Sequence, residues 1–150
     1  MATFISHSPA ETESLGEEWG RGAQPGLVIG LSGDLGAGKT QLVKGIARGL
    51  GITARVHSPT FTLLNVYTGG RLTLFHLDLY RLETPDQVQD AGLVEYLQPD
   101  GVSVIEWAEK YFPNKSPVPN TQSLAAPFRK VQIEILNESE RRISYEDFGA

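Results

Sequence analysis

The apolar positions of this chain change their period several times, and each change predicts a new element. Ser8-Pro9-Ala10-Glu11 has the form of a helix start, with Ser8 as N-cap, proline at the first helical position and glutamate at the third. Leu15 and Trp19, four residues apart, mark one apolar face, and Glu11, Glu13, Glu17 and Glu18 take up the remainder. A helix of about three turns is therefore expected, ended by Gly20, Gly22 and Pro25-Gly26. Leu27-Val28-Ile29-Gly30-Leu31 is continuously apolar instead of alternating, as in a strand buried on both faces of a sheet. From Lys39 the apolar residues Leu42, Val43, Ile46, Ala47 and Leu50 return to helical spacing, and Gly51 closes the segment.

Farther along, residues 61–67 and 72–79 are β-rich runs flanking Thr68-Gly69-Gly70-Arg71, which predicts a hairpin. Leu72, Leu74, His76 and Asp78 fall on one face of its second strand. Thr84-Pro85-Asp86-Gln87 opens another helix toward Leu97, bent or split at Gly92, and Val102 to Trp107 reads as a further buried strand. Pro113, Pro117, Pro119 and Pro127 oppose regular structure, so residues 113–127 are expected to be a mobile loop. Arg129–Leu136 and Arg142–Phe148 alternate around Asn137-Glu138-Ser139-Glu140, predicting a C-terminal β-hairpin. Arg129, Lys130, Arg141 and Arg142 would make a small basic strip if they faced one another across it, although a solvated surface is the plainer reading.

Composition narrows the picture. The chain has 150 residues, 40% of them hydrophobic, which suffices for one globular domain over 1–150 and excludes a disordered chain. There is no cysteine, so disulfide scaffolds, zinc ribbons and thiol nucleophiles are excluded. The first basic residue is Arg21 and no apolar run reaches the ~18 residues of a membrane span, so a soluble cytoplasmic protein is expected. A net charge of −5 argues against binding nucleic acid alone, where a basic face would release counterions.

The strongest chemical signal is Gly33-Asp34-Leu35-Gly36-Ala37-Gly38-Lys39-Thr40, which fits G-x-x-x-x-G-K-[ST] between the apolar strand and the periodic helix. Its glycines let backbone N–H groups approach phosphate oxygens, and the helix start adds the positive end of its dipole. Lys39 supplies a point charge for the β- and γ-phosphates, and the Thr40 hydroxyl can ligate Mg²⁺. These features predict an α/β fold of the P-loop NTPase type, a three-layer sandwich around a central, mostly parallel sheet with the C-terminal β-hairpin added. Such a site needs a further carboxylate for Mg²⁺ or its water, and Asp78 and Glu106, each ending a β run, are the candidates. For each, an exposed or salt-bridged strand-end acid is the plain alternative.

With these segments in view, the sequence resembles the bacterial TsaE (YjeE) family of tRNA threonylcarbamoyladenosine biosynthesis proteins. The resemblance rests on the P-loop octapeptide together with Ser58-Pro59-Thr60-Phe61-Thr62-Leu63, His76-Leu77-Asp78-Leu79-Tyr80-Arg81-Leu82 and Ile105-Glu106-Trp107, in matching order and spacing over residues 8 to 112. It implies a small ATPase that uses ATP, yields ADP and requires Mg²⁺. It also implies TsaB and TsaD proteins as partners, with tRNA reached only through the complex. By position, the backbone of Gly33 to Gly38 and Lys39 would hold phosphates, Thr40 and Glu106 would be Mg²⁺ ligands, and Asp78 would be the Walker B carboxylate near the metal. Thr60 would belong to a switch-like segment, Gln41 stands where the family commonly has a second threonine near the α-phosphate, and Pro9 would lie toward the adenine. His76 is either a group behind this site or an ordinary packed strand histidine.

Three other functions use similar parts. A small-molecule kinase needs an acceptor pocket and a basic lid, yet residues 113–127 carry only Lys115. A regulatory GTPase needs D-x-x-G after the strand acid and N-K-x-D for the base, whereas Leu79-Tyr80-Arg81 follows Asp78 and Asn114-Lys115-Ser116-Pro117 ends in proline. A nucleotide-sensing scaffold without hydrolysis has no distinguishing sequence mark.

Overall fold

A computed structural model describes residues 2–33, 38–56, 64–78, 100–106 and 128–148. In chain order the elements are β1 (Ala2–Ser6), α1 (Pro9–Gly22), β2 (Val28–Gly33), α2 (Lys39–Gly49), β3 (Leu64–Tyr67), β4 (Leu74–Asp78), β5 (Val102–Glu106), β6 (Phe128–Ile135) and β7 (Arg141–Phe148). The expected helix over 84–97, the loop over 113–127 and Trp107 lie outside the described residues.

All seven strands share one sheet in the order β1-β7-β6-β2-β5-β4-β3. The four inner strands β6, β2, β5 and β4 are parallel, while β1, β7 and β3 join antiparallel. The sheet is therefore mixed, not mostly parallel as the sequence suggested. The added antiparallel strand is β1, whose five residues carry no turn or period signal and pair with β7 at the far end of the chain.

The sheet changes character across its width. In β2 and β5 the residues are buried on both faces, matching their unbroken apolar sequence. One face carries Ile29, Leu31, Val102, Val104, Val131, Ile133 and Ile143, packed with Leu15, Trp19, Leu42 and Ile46 of the helices. Val28, Leu77, Ile105 and Phe128 are buried outside this cluster, on the other face. In the antiparallel part only one face is covered: Ile5, Lys130, Gln132, Glu134 and Arg142 are exposed.

Helix α1 begins as expected: the Ser8 hydroxyl accepts from the Glu11 N–H, Pro9 follows, and the Glu11 carboxylate accepts from the His7 N–H. It ends at Gly22, one of the expected stops, where the Arg71 guanidinium donates to the carbonyls of Gly20 and Arg21, and Gly20 itself lies within the helix. The reason is tertiary. Gly16 and Gly20 on α1 meet Gly45 and Gly49 on α2, and a methyl group built on Gly45 would lie 1.9 Å from the Glu13 carbonyl oxygen. Side chains are thus absent where the two backbones touch, and close packing overrides glycine's poor helix propensity. Glu13 meets Gly45 and Glu17 meets Gly49, so the helices run in the same direction in step. Both helices therefore start at the same end of the pair.

The C-terminal hairpin forms as the alternation predicts, with the Asn137 side-chain oxygen accepting from the N–H groups of Ser139 and Glu140 in its turn. The basic strip does not. Antiparallel register sets Arg129 opposite Asp147, Lys130 opposite Glu146 and Arg142 opposite Glu134, each cation against an acid, while Arg141 lies opposite Ile135. Arg129 donates to both Asp147 oxygens at 2.6 and 2.9 Å and lies over the rings of Trp19 and Tyr145. These hydrogen bonds hold the Asp147 carboxyl below the usual carboxylate range. A lowered folded value means the stabilisation is present above the unfolded range, about 3.9, and is lost as pH falls through the folded value. Asp147→Asn should accordingly lower the melting temperature slightly near neutral pH, the pair being largely exposed, and the difference should fade on acidification. Melting curves at a series of pH values check this; a deficit that persists unchanged in acid would contradict it.

Candidate functional site

Helix α2 starts where the chain leaves β2 and turns back along the sheet. Gly38, its N-cap, has φ +102, a left-handed conformation that a side chain would resist, and no side chain caps the helix there. As at any helix start, the N–H groups of the first turn have no carbonyl one turn back within the helix. Leu42, Val43, Ile46 and Ala47 form the buried stripe that fixes the helix against the sheet. Lys39, the first helical residue, is only 5% exposed, and its Nζ donates to the Gly33 carbonyl at 2.6 Å. The ammonium is thereby folded over the beginning of the octapeptide, where Gly33 ends β2 at φ +154. Thr40 and Gln41, both half-buried, follow in the same turn. Asp34, Leu35, Gly36 and Ala37, like Thr60, lie outside the described residues.

Parallel pairing brings the strand-end carboxylates to the same edge. Asp78 ends β4, Glu106 ends β5, and the two are direct partners in register, roughly 4.8 Å apart along the sheet. Glu106 is in turn the partner of Leu31, two residues before Gly33. Partners in a parallel pair point to the same face, so both carboxyl groups lie on the face that α2 covers. The C-terminal edge of parallel strands, next to a helix start, is where open α/β sheets bind ligands.

Burial separates the two acids. Asp78 is half-buried, whereas Glu106 is 3% exposed and its Oε2 is hydrogen-bonded to Nε2 of the fully buried His76. The two carboxylates were visible in the sequence as acids ending β runs; the His76–Glu106 pair was not. It depends on β4 lying beside β5, and no local pattern encodes that adjacency.

The donor set fits Mg²⁺ held jointly with phosphates. Among the described residues no three His, Asp or Glu side chains form a cage of their own, which would be required for a metal bound by protein alone. A hard cation that keeps several waters needs only one or two carboxylates and a hydroxyl beside phosphate oxygens, and Thr40, Glu106 and Asp78 are groups of that kind. Pro9 is exposed at the first position of α1 and shares the α2 end of the helix pair.

Two further clefts lie away from this edge. One, about 350 Å³, is lined by Trp19, Ala23, Leu27 and Arg129; the other, about 540 Å³, by Lys44, Arg48, Thr53 and Arg55.

These features define a class: a mixed α/β sheet protein in which a Walker A sequence joins a central strand to a helix packed on the sheet. The family model for the threonylcarbamoyl adenosine biosynthesis protein TsaE matches residues 6–143. The chain is 50% identical over 101 residues to the tRNA threonylcarbamoyladenosine biosynthesis protein TsaE of Bacillus subtilis, covering 67% of this chain and 63% of that relative's length. It is 49% identical over 106 residues to the Treponema pallidum protein of the same name, covering 71% and 78%, and 33% identical over 142 residues to that of Rickettsia felis, covering 94% and 77%. A crystal structure of Bacillus subtilis YdiB superposes with a TM-score of 0.75 at 34% identity, covering 96% of this chain and 83% of that one. The chain belongs to the TsaE family. Among the described residues no helix is long and apolar enough to cross a membrane.

Proposed function

We propose that this chain binds ATP with Mg²⁺ at the edge formed by β2, β4, β5 and the start of α2, and hydrolyses it to ADP and phosphate. It does so as a cytoplasmic accessory ATPase in forming threonylcarbamoyladenosine in tRNA, together with the TsaB and TsaD proteins. The observation that carries this reading is the start of α2 at the left-handed Gly38, with Lys39 buried beside it and Glu106 and Asp78 on the adjoining strand ends. Burial of β2 and β5 on both faces supports the three-layer sandwich of P-loop NTPases. The acidic net charge, and the acids opposite Arg129 and Arg142, support contact with tRNA through partners instead of directly.

Each group then has a task. The backbone from Gly33 to Gly38 and the first-turn N–H groups of α2 bind phosphate oxygens, and Lys39 exchanges the Gly33 carbonyl for the β- and γ-phosphates. Thr40 and Glu106 hold Mg²⁺, which when bound neutralises phosphate charge. Asp78 orients water at the same edge, and the Gln41 amide takes the place of a hydroxyl toward the α-phosphate. Thr60 belongs to the segment that responds to the γ-phosphate. Pro9, at the same end of the helix pair as the start of α2, lies toward the adenine.

Lys39→Ala should weaken binding of a non-hydrolysable ATP analogue by about 10²-fold, the effect of losing one or two charge-assisted hydrogen bonds. Far-UV circular dichroism should show the fold retained. Calorimetric titration tests this, and undiminished affinity in a folded variant would refute the phosphate assignment. ATP hydrolysis measured with and without TsaB and TsaD proteins tests the partnership.

A further inference from the structure

We propose that His76 is a positioning residue for Glu106: its Nε2–H holds one carboxylate oxygen so that the other is presented to the cation. The inference rests on the reading of Glu106 as a Mg²⁺ ligand and extends it to the group behind.

Three observations carry it. The first is contact. His76 and Glu106 lie on neighbouring parallel strands, two positions apart in register, and the histidine Nε2 bonds to Glu106 Oε2. A carboxylate can only accept, so the shared hydrogen belongs to the ring, and Oε1 is the oxygen available to a metal. The second is burial. His76 has no exposure and Glu106 has 3%, so the hydrogen bond is made without competition from water and fixes a side chain that would otherwise sample many rotamers. The ordering cost of the ligand is then met on folding, before the cation arrives.

The third observation is a cost that packing does not explain. His76 Nδ1 is buried without a hydrogen-bond partner. The neighbouring buried residues of β4, Leu74 and Leu77, are apolar, and an apolar side chain of similar volume at position 76 would leave no polar nitrogen stranded. What the imidazole supplies at this position is its other nitrogen, which is on Glu106 and which leucine would leave without a replacement. Groups that orient metal-binding side chains act in this way, and their loss commonly weakens metal binding by 10- to 100-fold.

The test uses the full chain with ADP and three variants. His76→Leu fills the space but donates nothing, His76→Asn is polar but too short to reach Glu106 Oε2, and His76→Gln places an N–H at a reach similar to Nε2. Mn²⁺ binding to the ADP complex, followed by electron paramagnetic resonance, reports the metal site without turnover, and thermal melting reports the fold. Leu and Asn should weaken Mn²⁺ binding by about 10- to 100-fold, and raise the Mg²⁺ concentration for half-maximal ATP hydrolysis in parallel, while Gln recovers most of both. Should the Leu variant fail to fold, the contrast between Asn and Gln decides. Wild-type Mn²⁺ affinity in folded Leu or Asn variants, or a Gln variant as impaired as Asn, would overturn the proposal. Glu106→Gln separates the two levels: if it weakens Mn²⁺ binding while the His76 variants do not, only the positioning role falls. If Glu106→Gln binds Mn²⁺ normally, the ligand reading falls and the His76 proposal with it.

Discussion

Gly45→Ala should lower the melting temperature by about 10 °C, an unusually large effect for the addition of one methyl group. In an exposed helix the same change would gain roughly 1 kcal/mol from helix propensity. Here the new methyl carbon would lie 1.9 Å from the Glu13 carbonyl oxygen and 2.9 Å from the Glu17 nitrogen, both backbone atoms that no rotamer change can move aside. Relief requires α1 and α2 to separate, and that loosens the packing of Leu15 and Trp19 against Leu42 and Ile46. Overpacking of this kind costs about 1–3 kcal/mol and occasionally more, and contact with backbone places Gly45 at the upper end. A net loss of about 3 kcal/mol in a chain of this size corresponds to the stated shift. Gly22→Ala is the control, since a methyl group there meets nothing within 4 Å, and it should be neutral or slightly stabilising. Calorimetric melts of the two variants check the contrast, and equal melting temperatures would mean that the helix contact is not tight.

The second large effect is expected at the strand-end acids. Asp78→Asn should depress ATP turnover by roughly 10²-fold or more at saturating Mg²⁺ with little change in nucleotide affinity, as losses of preorganised polar groups commonly do. Glu106→Gln should instead raise the Mg²⁺ requirement, because an amide oxygen keeps the shape of the ligand but loses the charge a hard cation prefers, and excess Mg²⁺ should partly restore the rate. The structure gives a reason for the difference: Glu106 is buried and held by His76, whereas Asp78 is half-buried at the same edge. Turnover measured across a Mg²⁺ series discriminates the roles. Wild-type behaviour in both variants would remove the two carboxylates from the reaction, and rescue by Mg²⁺ of the Asp78 variant alone would exchange their assignments.

The parts of this molecule legible in its sequence are those encoded by neighbours along the chain. The helix start at Ser8-Pro9-Ala10-Glu11, the two-sided strand expected over residues 27–31 and observed as Val28–Gly33, the stripe from Leu42 to Leu50 and the C-terminal hairpin each follow from a local period or cap. The Walker A octapeptide is contiguous for the same reason. What was not legible depends on distant pairing. Nothing in Ala2–Ser6 says that it will lie beside Arg141 to Tyr145, and without that pairing the sheet reads as mostly parallel. His76 and Glu106 were each visible, but their meeting required the order of β4 and β5. The glycines of the helix pair occupy an intermediate position. Gly16 with Gly20, and Gly45 with Gly49, each repeat at four residues, the spacing of one helix face, and that repeat was a usable signal. Of the residues expected to end the helix, Gly22 does so, whereas Gly20 is part of the contact between the helices.

The way the sheet ends bears on how these molecules behave in concentrated solution. Its margins are β1 and β3, of five and four residues, while the longest strands, β6 and β7, are enclosed between neighbours. A strand of five residues such as β1 offers only a few backbone groups to a second chain, too few to hold two molecules strand to strand against the entropy of association. Exposed Ile5 and Val66 stand singly at opposite margins, so neither extends into an apolar strip, and a net charge of −5 on every copy adds mutual repulsion. Edge-to-edge sheet growth between copies is therefore disfavoured by the architecture itself.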